Sequence, residues 1–265
     1  MVLFRSHLRQ EARALAGWSV AVAALALLQT SLFEALQKSV VVSQLTSALH
    51  HLPAQFVQFV GGSLDIYSAA GWVGAMDLSG WLTLIVGIWL ALAAVSVVAR
   101  DVDHRTLEFL LSLPVRRGRL LAERSLSLVL QLLALYIVIF LGVIVALAFI
   151  GARVNDLRLA EALGMLFLQQ TALAGTLVLV SLFLRDQTSA MLATVTAAAV
   201  FIFIPVFIES NSRVAFLRHL TPFDYEASGS LMLHGTYPGS QVALAAIWAV
   251  AAFVAAWAIF ARQEV

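Results

Sequence analysis

Six stretches of this chain contain no Asp, Glu, Lys, Arg or His: residues 14–33, 80–99, 125–150, 162–184, 187–208 and 241–261. An apolar helix of about 18 residues or more crosses a ~30 Å hydrocarbon core. Lipid offers no hydrogen bonds, so a spanning segment must satisfy its own backbone, as a helix does. The rest of the composition agrees, with 62% of residues hydrophobic and 12% charged. A soluble fold has too much surface to cover with so few charges. The expected class is therefore an all-α integral membrane protein with six transmembrane helices, which excludes a soluble enzyme. A formal net charge of +1 gives no basic field for a nucleic-acid partner. With no cysteine in the chain, disulfides, thiolate metal sites and Cys nucleophiles are excluded by inventory.

The basic residues orient the spans. With the N-terminus inside, the cytoplasmic segments hold Arg5, Arg9, Arg13, Arg100, Arg105, Arg116, Arg117, Arg119, Arg124, Arg185 and Arg262. The outer side holds Lys38, Arg153, Arg158, Arg213 and Arg218. Eleven against five, six of the eleven in one loop, places both termini in the cytoplasm. The first apolar run is longer than a typical signal core and lacks a clear small-x-small cleavage site, so it reads as a retained helix. Before it, Arg5, Arg9 and Arg13 recur every fourth residue, with Leu3, Phe4 and Leu8 off that face. This pattern predicts an N-terminal interfacial helix held against lipid, or a plain positive anchor.

Three of the segments between the spans carry information. Residues 36–78 form the first outer segment, in which Leu45, Leu49, Leu52, Phe56 and Phe59 recur at helical spacing between polar residues. Residues 209–240 form the second, with Thr221-Pro222-Phe223-Asp224-Tyr225 and Tyr237-Pro238-Gly239 predicting short outer helices or re-entrant turns. The third is the cytoplasmic loop 100–124. None is long enough for a separate domain of at least about 50 residues, so residues 1–265 read as one transmembrane domain.

The cytoplasmic loop carries the most information. Asp101 and Asp103 open a short helix, where carboxylates oppose the positive end of the helix dipole. Leu107, Leu110 and Leu111 share one face, and Phe109 falls on another beside Glu108 and Ser112. Pro114 stops the helix, and Arg116, Arg117 and Arg119 then meet anionic headgroups. On these residues alone the loop reads equally well as an interfacial connector or as a docking helix.

The order of the residues goes further. Thr106-Leu107-Glu108-Phe109-Leu110-Leu111-Ser112-Leu113-Pro114-Val115-Arg116, after an acidic cluster and before Leu120-Leu121-Ala122-Glu123-Arg124, resembles the coupling-helix region of type-2 permeases of ATP-binding-cassette (ABC) exporters. The chain departs from that pattern at Arg105, where the family usually has Gly, and at Asp101 and Asp103, where Glu is commoner. The topology and the stretch Leu220–Tyr225 are similar to the same family. The resemblance implies that a separate ABC ATPase docks on residues 101–116, through Asp101, Asp103, Thr106, Leu107, Glu108, Phe109, Leu110, Ser112, Pro114 and Arg116. It implies two such ATPases, a second permease subunit (a homodimer being the simplest pairing), and an inner plasma membrane location. It also implies that the N-terminal helix lines the ATPase groove.

The spans themselves exclude other energy sources. Ion-driven transporters keep ionisable residues within their helices, and these spans have none. An intramembrane enzyme needs an acid, base or metal ligand at membrane depth, which is missing for the same reason. His7, His50, His51, His104, His219 and His234 all fall outside the spans, and no H-E-x-x-H frame occurs. His50-His51 reads as a polar patch, and Asp101, Asp103 and His104 as a helix start rather than a metal site. There is no G-x-x-x-x-G-K-[ST] phosphate loop, so ATP and Mg²⁺ are expected only in the partner, with no cofactor bound directly.

Polar residues at membrane depth are Gln29, Ser96, Gln131, Gln169, Gln170, Thr171, Thr194 and Thr196, expected to bond between helices or to line a path. A path this apolar suits a hydrophobic or amphipathic cargo. On the fifth span Ser189, Ala193 and Ala197, and likewise Ala190, Thr194 and Ala198, are spaced by four. Such small-residue faces suit close helix packing, either within one subunit or in a dimer. The expectation is a non-catalytic permease subunit of an exporter; the alternative is a membrane scaffold that holds a cytoplasmic partner without transport.

Overall fold

A computed structural model describes residues 2–37, 68–76, 78, 80–97, 117–184, 186–208, 221, 223, 231–232, 235 and 239–262. Among them the secondary structure is helical throughout, without strands. In chain order the helices are α1 (Val2–Gln37), α2 (Ala69–Met76), α3 (Gly80–Val97), α4 (Arg117–Ile150), α5 (Asp156–Ser181), α6 (Gln187–Ile208) and α7 (Gly239–Arg262). Six stretches are long and apolar enough to cross a bilayer.

The expected spans match these helices closely, with α6 having the same limits and α5 starting six residues earlier. Asn155 sets that earlier start: its side-chain oxygen accepts from the backbone N–H groups of Leu157 (3.0 Å) and Arg158 (3.2 Å), an N-cap that satisfies two free donors. Asp186 caps α6 in the same way, its carboxylate accepting from Ser189 N–H at 2.7 Å. That bond holds the Asp186 carboxyl below its ordinary range. A depressed carboxyl pKa means the cap contributes at neutral pH and is lost as the pH falls through the carboxylate range.

Two boundaries differ from expectation. The N-terminal segment and the first span form one continuous helix of 36 residues, because no proline or turn sequence interrupts residues 2–37. The second difference falls within the expected outer segment 36–78. Ala69–Met76 is helical, with residues 71–75 buried, and the candidate span runs from Ala69 to Val97. By itself α3 has 18 residues, a rise of about 27 Å that barely crosses the core. Trp72 fastens α2 to α1, its indole N–H donating to the Gln29 carbonyl at 2.8 Å, with the Phe33 ring 6.0 Å away. The amphipathic stripe Leu45–Phe59 lies outside the described residues.

The bundle is arranged around α5, which packs against α3, α4, α6 and α7, while α1 lies along α4. Accordingly α3 and α5 are the most buried spans, and α1, α6 and α7 the least. Gly175 brings α5 and α7 together, since a Cβ there would stand 3.0 Å from Ala252 and 3.1 Å from the Phe253 ring. Close backbone approach through small residues is how helices gain contact where lipid is as apolar as leucine. Leu126, Leu130, Leu133, Ile137, Leu141 and Phe149 leave an exposed apolar stripe along α4. In water such a stripe would be a liability, whereas it matches a hydrocarbon surround.

Pro205 sits inside α6. Its ring has no N–H, so the Phe201 carbonyl four residues earlier lacks its usual helical donor. Thr221, from the segment before α7, supplies one: its hydroxyl donates to Phe201 O at 3.0 Å and accepts from Phe223 N–H at 3.2 Å. Both Thr221 and Phe223 are buried. The Thr-Pro-Phe motif thus plugs the gap that the proline opens. Thr221→Val should cost about 1–3 kcal/mol, the range for a buried polar group left unpaired. In a Pro205→Ala background the helix supplies its own donor, so the same change should cost clearly less. Thermal unfolding of the four proteins in detergent checks this; equal costs in both backgrounds would contradict it.

Candidate functional site

The residues expected to couple to an ATPase, Asp101, Asp103, Thr106, Leu107, Glu108, Phe109, Leu110, Ser112, Pro114 and Arg116, lie outside the described residues. What is described is the frame on either side of them, the end of α3 at Val97 and the start of α4 at Arg117. Arg124 joins the two sides. It is buried, at 7% exposure, and its Nη1 donates to the Val97 carbonyl at 2.7 Å. Nearer the start of α4, Arg119 and Glu123 form an exposed i, i+4 ion pair at 2.9 Å. Leu120 and Leu121 on the same turns are fully buried.

Two further groups belong to the same end of the bundle. Arg5, Arg9 and Arg13 fall on α1; Arg13 is exposed, and the side chains of the other two are outside the described residues. Between α1 and α4 lies a cavity of about 360 Å³, lined by Leu15, Ala16 and Ser19 on one side and Leu130, Gln131 and Ala134 on the other. Gln131 turns its amide N–H to Ser127 Oγ at 3.1 Å, within its own helix.

The small-residue faces of α6 separate. Ala190, Thr194 and Ala198 are buried inside the subunit, where α6 packs on α3 and α5. Ser189 is exposed, and Ala193 and Ala197 are half-buried.

Membrane-depth polar side chains divide between roles. The single Thr194 hydroxyl proton is shared between the Ala190 carbonyl of its own helix at 2.8 Å and the Ala91 carbonyl of α3 at 3.1 Å, and Gln170 donates to the Thr83 carbonyl of α3 at 2.8 Å. Trp248 of α7 donates to Thr176 Oγ1 of α5 at 3.0 Å. Ser96 and Thr171 bond carbonyls of their own helices, as Ser/Thr in helices do. Gln169 is different. Fully buried at the middle of α5, it has neither amide atom hydrogen-bonded, and Gln170 Oε1, Thr83 Oγ1 and Tyr136 Oη are also buried and unpaired. Among the described residues no group of three His, Asp or Glu comes together to hold a metal ion. The arrangement therefore holds helices in register and offers neutral polar groups at mid-depth.

Neither Arg124 nor Thr221 shows a contact of its own in the sequence. Arg124 stands as an inner charge at the end of the Leu120–Arg124 stretch, and Thr221 as part of a turn-forming motif, whereas the Thr221 bond follows from the missing N–H of Pro205. An unpaired buried amide costs about 1–3 kcal/mol, which an apolar side chain of similar size does not incur. Gln169→Met should therefore raise thermal stability in detergent; a lowered midpoint would show that the amide is paired in the folded protein.

The sequence matches the family described as ABC-2 family transporter protein over residues 1–265. No curated protein matches the chain. A match along the whole length, to a fold of six membrane-spanning helices, establishes the class. The chain belongs to the ABC-2 family: it is a multi-pass membrane protein and a permease subunit of an ATP-binding-cassette transporter.

Proposed function

We propose that this permease is the membrane half of an exporter, driven by a separate ABC ATPase that docks on residues 101–116. The observation that carries this reading is the loop sequence Thr106–Arg116, with its leucine face, Phe109 on another face and a terminating Pro114, in a chain whose family match is end to end. Permeases of this family generally work with an ABC ATPase subunit. The working unit would contain two ATPases, which bind ATP and Mg²⁺, and two permease subunits. The permease pairs with a second copy of itself, with the Ser189, Ala193 and Ala197 face of α6 as a candidate contact. Its home is the inner plasma membrane with both termini cytoplasmic, as the eleven-to-five distribution of basic residues supports.

The cargo is hydrophobic or amphipathic. The spans offer only neutral polar groups, and the α1–α4 cavity is walled mainly by apolar side chains. ATP-driven closure of the ATPases would press on the docked loop and shift the helices that flank it. In this reading no catalytic residue belongs to the permease.

Phe109→Asp tests the docking directly. Placing a charge in a buried aromatic contact should reduce ATPase association about ten-fold or more, with membrane insertion unchanged. Association is measured by titrating purified ATPase onto the permease in detergent. Wild-type affinity in that variant would remove 101–116 as the docking segment. A permease also changes the turnover of its ATPase, whereas a scaffold that merely holds it leaves the rate as it was.

A further inference from the structure

A buried arginine at the edge of a membrane is costly unless its charge and donors are satisfied. Arg124 meets that need on another helix. Val97 is the last residue of α3 among the described residues, and its carbonyl accepts from α4. It also stands at the negative end of the α3 dipole, and α3 has no basic residue in its last turn. Arg124 supplies the missing cation from α4, through a short charge-assisted bond of 2.7 Å.

The position of Arg124 gives this bond leverage. Arg124 lies seven residues past the start of α4, so α4 extends about 10 Å beyond the level of the bond. Those first turns are packed, not free. A Cβ on Gly118 would stand 2.5 Å from Trp257 Nε1 of α7, and Leu120, Leu121 and Phe260 are buried. The start of α4 is therefore fixed to α3 through Arg124 and to α7 at Gly118. Residues 98–116 depart from the first of these helices and return to the second.

We propose that Arg124 is a positioning residue for energy coupling: its bond to Val97 O makes the end of α3 and the start of α4 move as one when the intervening segment is pushed. The proposal rests on the reading that an ATPase docks on residues 101–116. Without the bond, a push on the loop would part the two helices at the base of the segment, and less of it would reach the bundle.

The test uses the full chain assembled with its ATPase, comparing wild type, Arg124→Gln, Arg124→Lys and a packing control, Leu121→Ala. In Arg124→Gln, ATPase binding and the KM for ATP should stay within about two-fold of wild type, while the permease-dependent part of kcat falls about ten-fold. Arg124→Lys, which keeps the charge, should recover much of that loss. Leu121→Ala should lower thermal stability without the same split between KM and kcat. Full permease-dependent turnover in Arg124→Gln would overturn the proposal. So would a loss that merely follows thermal stability, with no rescue by Lys.

A second readout needs no ATPase. The chain has no cysteine, so Ser96→Cys, at a buried position one residue before Val97, is a single reporter. Its reaction with a thiol reagent should speed up about ten-fold when Arg124→Gln is added, as a local opening predicts. Equal labelling rates would refute the bond between α3 and α4 whether or not the ATPase docks. Failure of the wild-type chain to bind any ATPase, with the labelling difference intact, would instead refute the docking reading and leave the bond standing.

Discussion

Much of this bundle depends on where backbone carbonyls find their donors. In hydrocarbon no water is available to repair an unpaired carbonyl, and helices gain no hydrophobic advantage by meeting one another. Several contacts between elements use one solution, a side-chain donor from one segment aimed at a carbonyl of another. Trp72 reaches Gln29 O, Gln170 reaches Thr83 O, Thr194 reaches Ala91 O, Thr221 reaches Phe201 O and Arg124 reaches Val97 O. The Phe201 carbonyl lacks its ordinary helical donor because Pro205 follows. The Gln29, Thr83 and Ala91 carbonyls lie inside helices and use the second lone pair of a carbonyl oxygen.

These bonds give the bundle a division of labour. Around α5 the contacts are close and buried, and Gly175 sets its spacing from α7. The Thr221 joint ties the segment before α7 to the Pro205 end of α6. At the other end, the Arg124 bond closes the base of the segment between α3 and α4. A transporter needs helices that shift as bodies, and bonds at helix ends constrain such shifts without stiffening the lipid-facing surface.

The spans were legible because absence of charge over 20 residues is a local property, and a helix in lipid needs nothing more. The start of α6 at Gln187 was legible, since Asp186 before it is the nearest charge and its carboxylate caps the helix. The earlier start at Ala69 was not legible. Asp77 and Ser79 interrupt the apolar run, and only packing against α1 shows that Ala69–Met76 belongs with the bundle. Likewise, spacing by four marked two faces of α6 as equals, and the fold buries Ala190, Thr194 and Ala198 because α3 and α5 lie on that side. Arg124 looked like one more inner charge, since nothing near it in sequence shows that its partner is the end of α3. The family was legible in the loop from Thr106 to Arg116, because residue order there is more specific than hydropathy.

In the proposed mechanism, energy enters this permease through an ATPase bound at the segment between α3 and α4. Extraction from the native membrane in mild detergent tests it most directly, followed by identification of what co-purifies. The expected result is a stoichiometric soluble ATPase bearing a phosphate-binding loop, whose turnover changes when the permease is present. A clean permease with no ATPase, and no response to nucleotide, would contradict it.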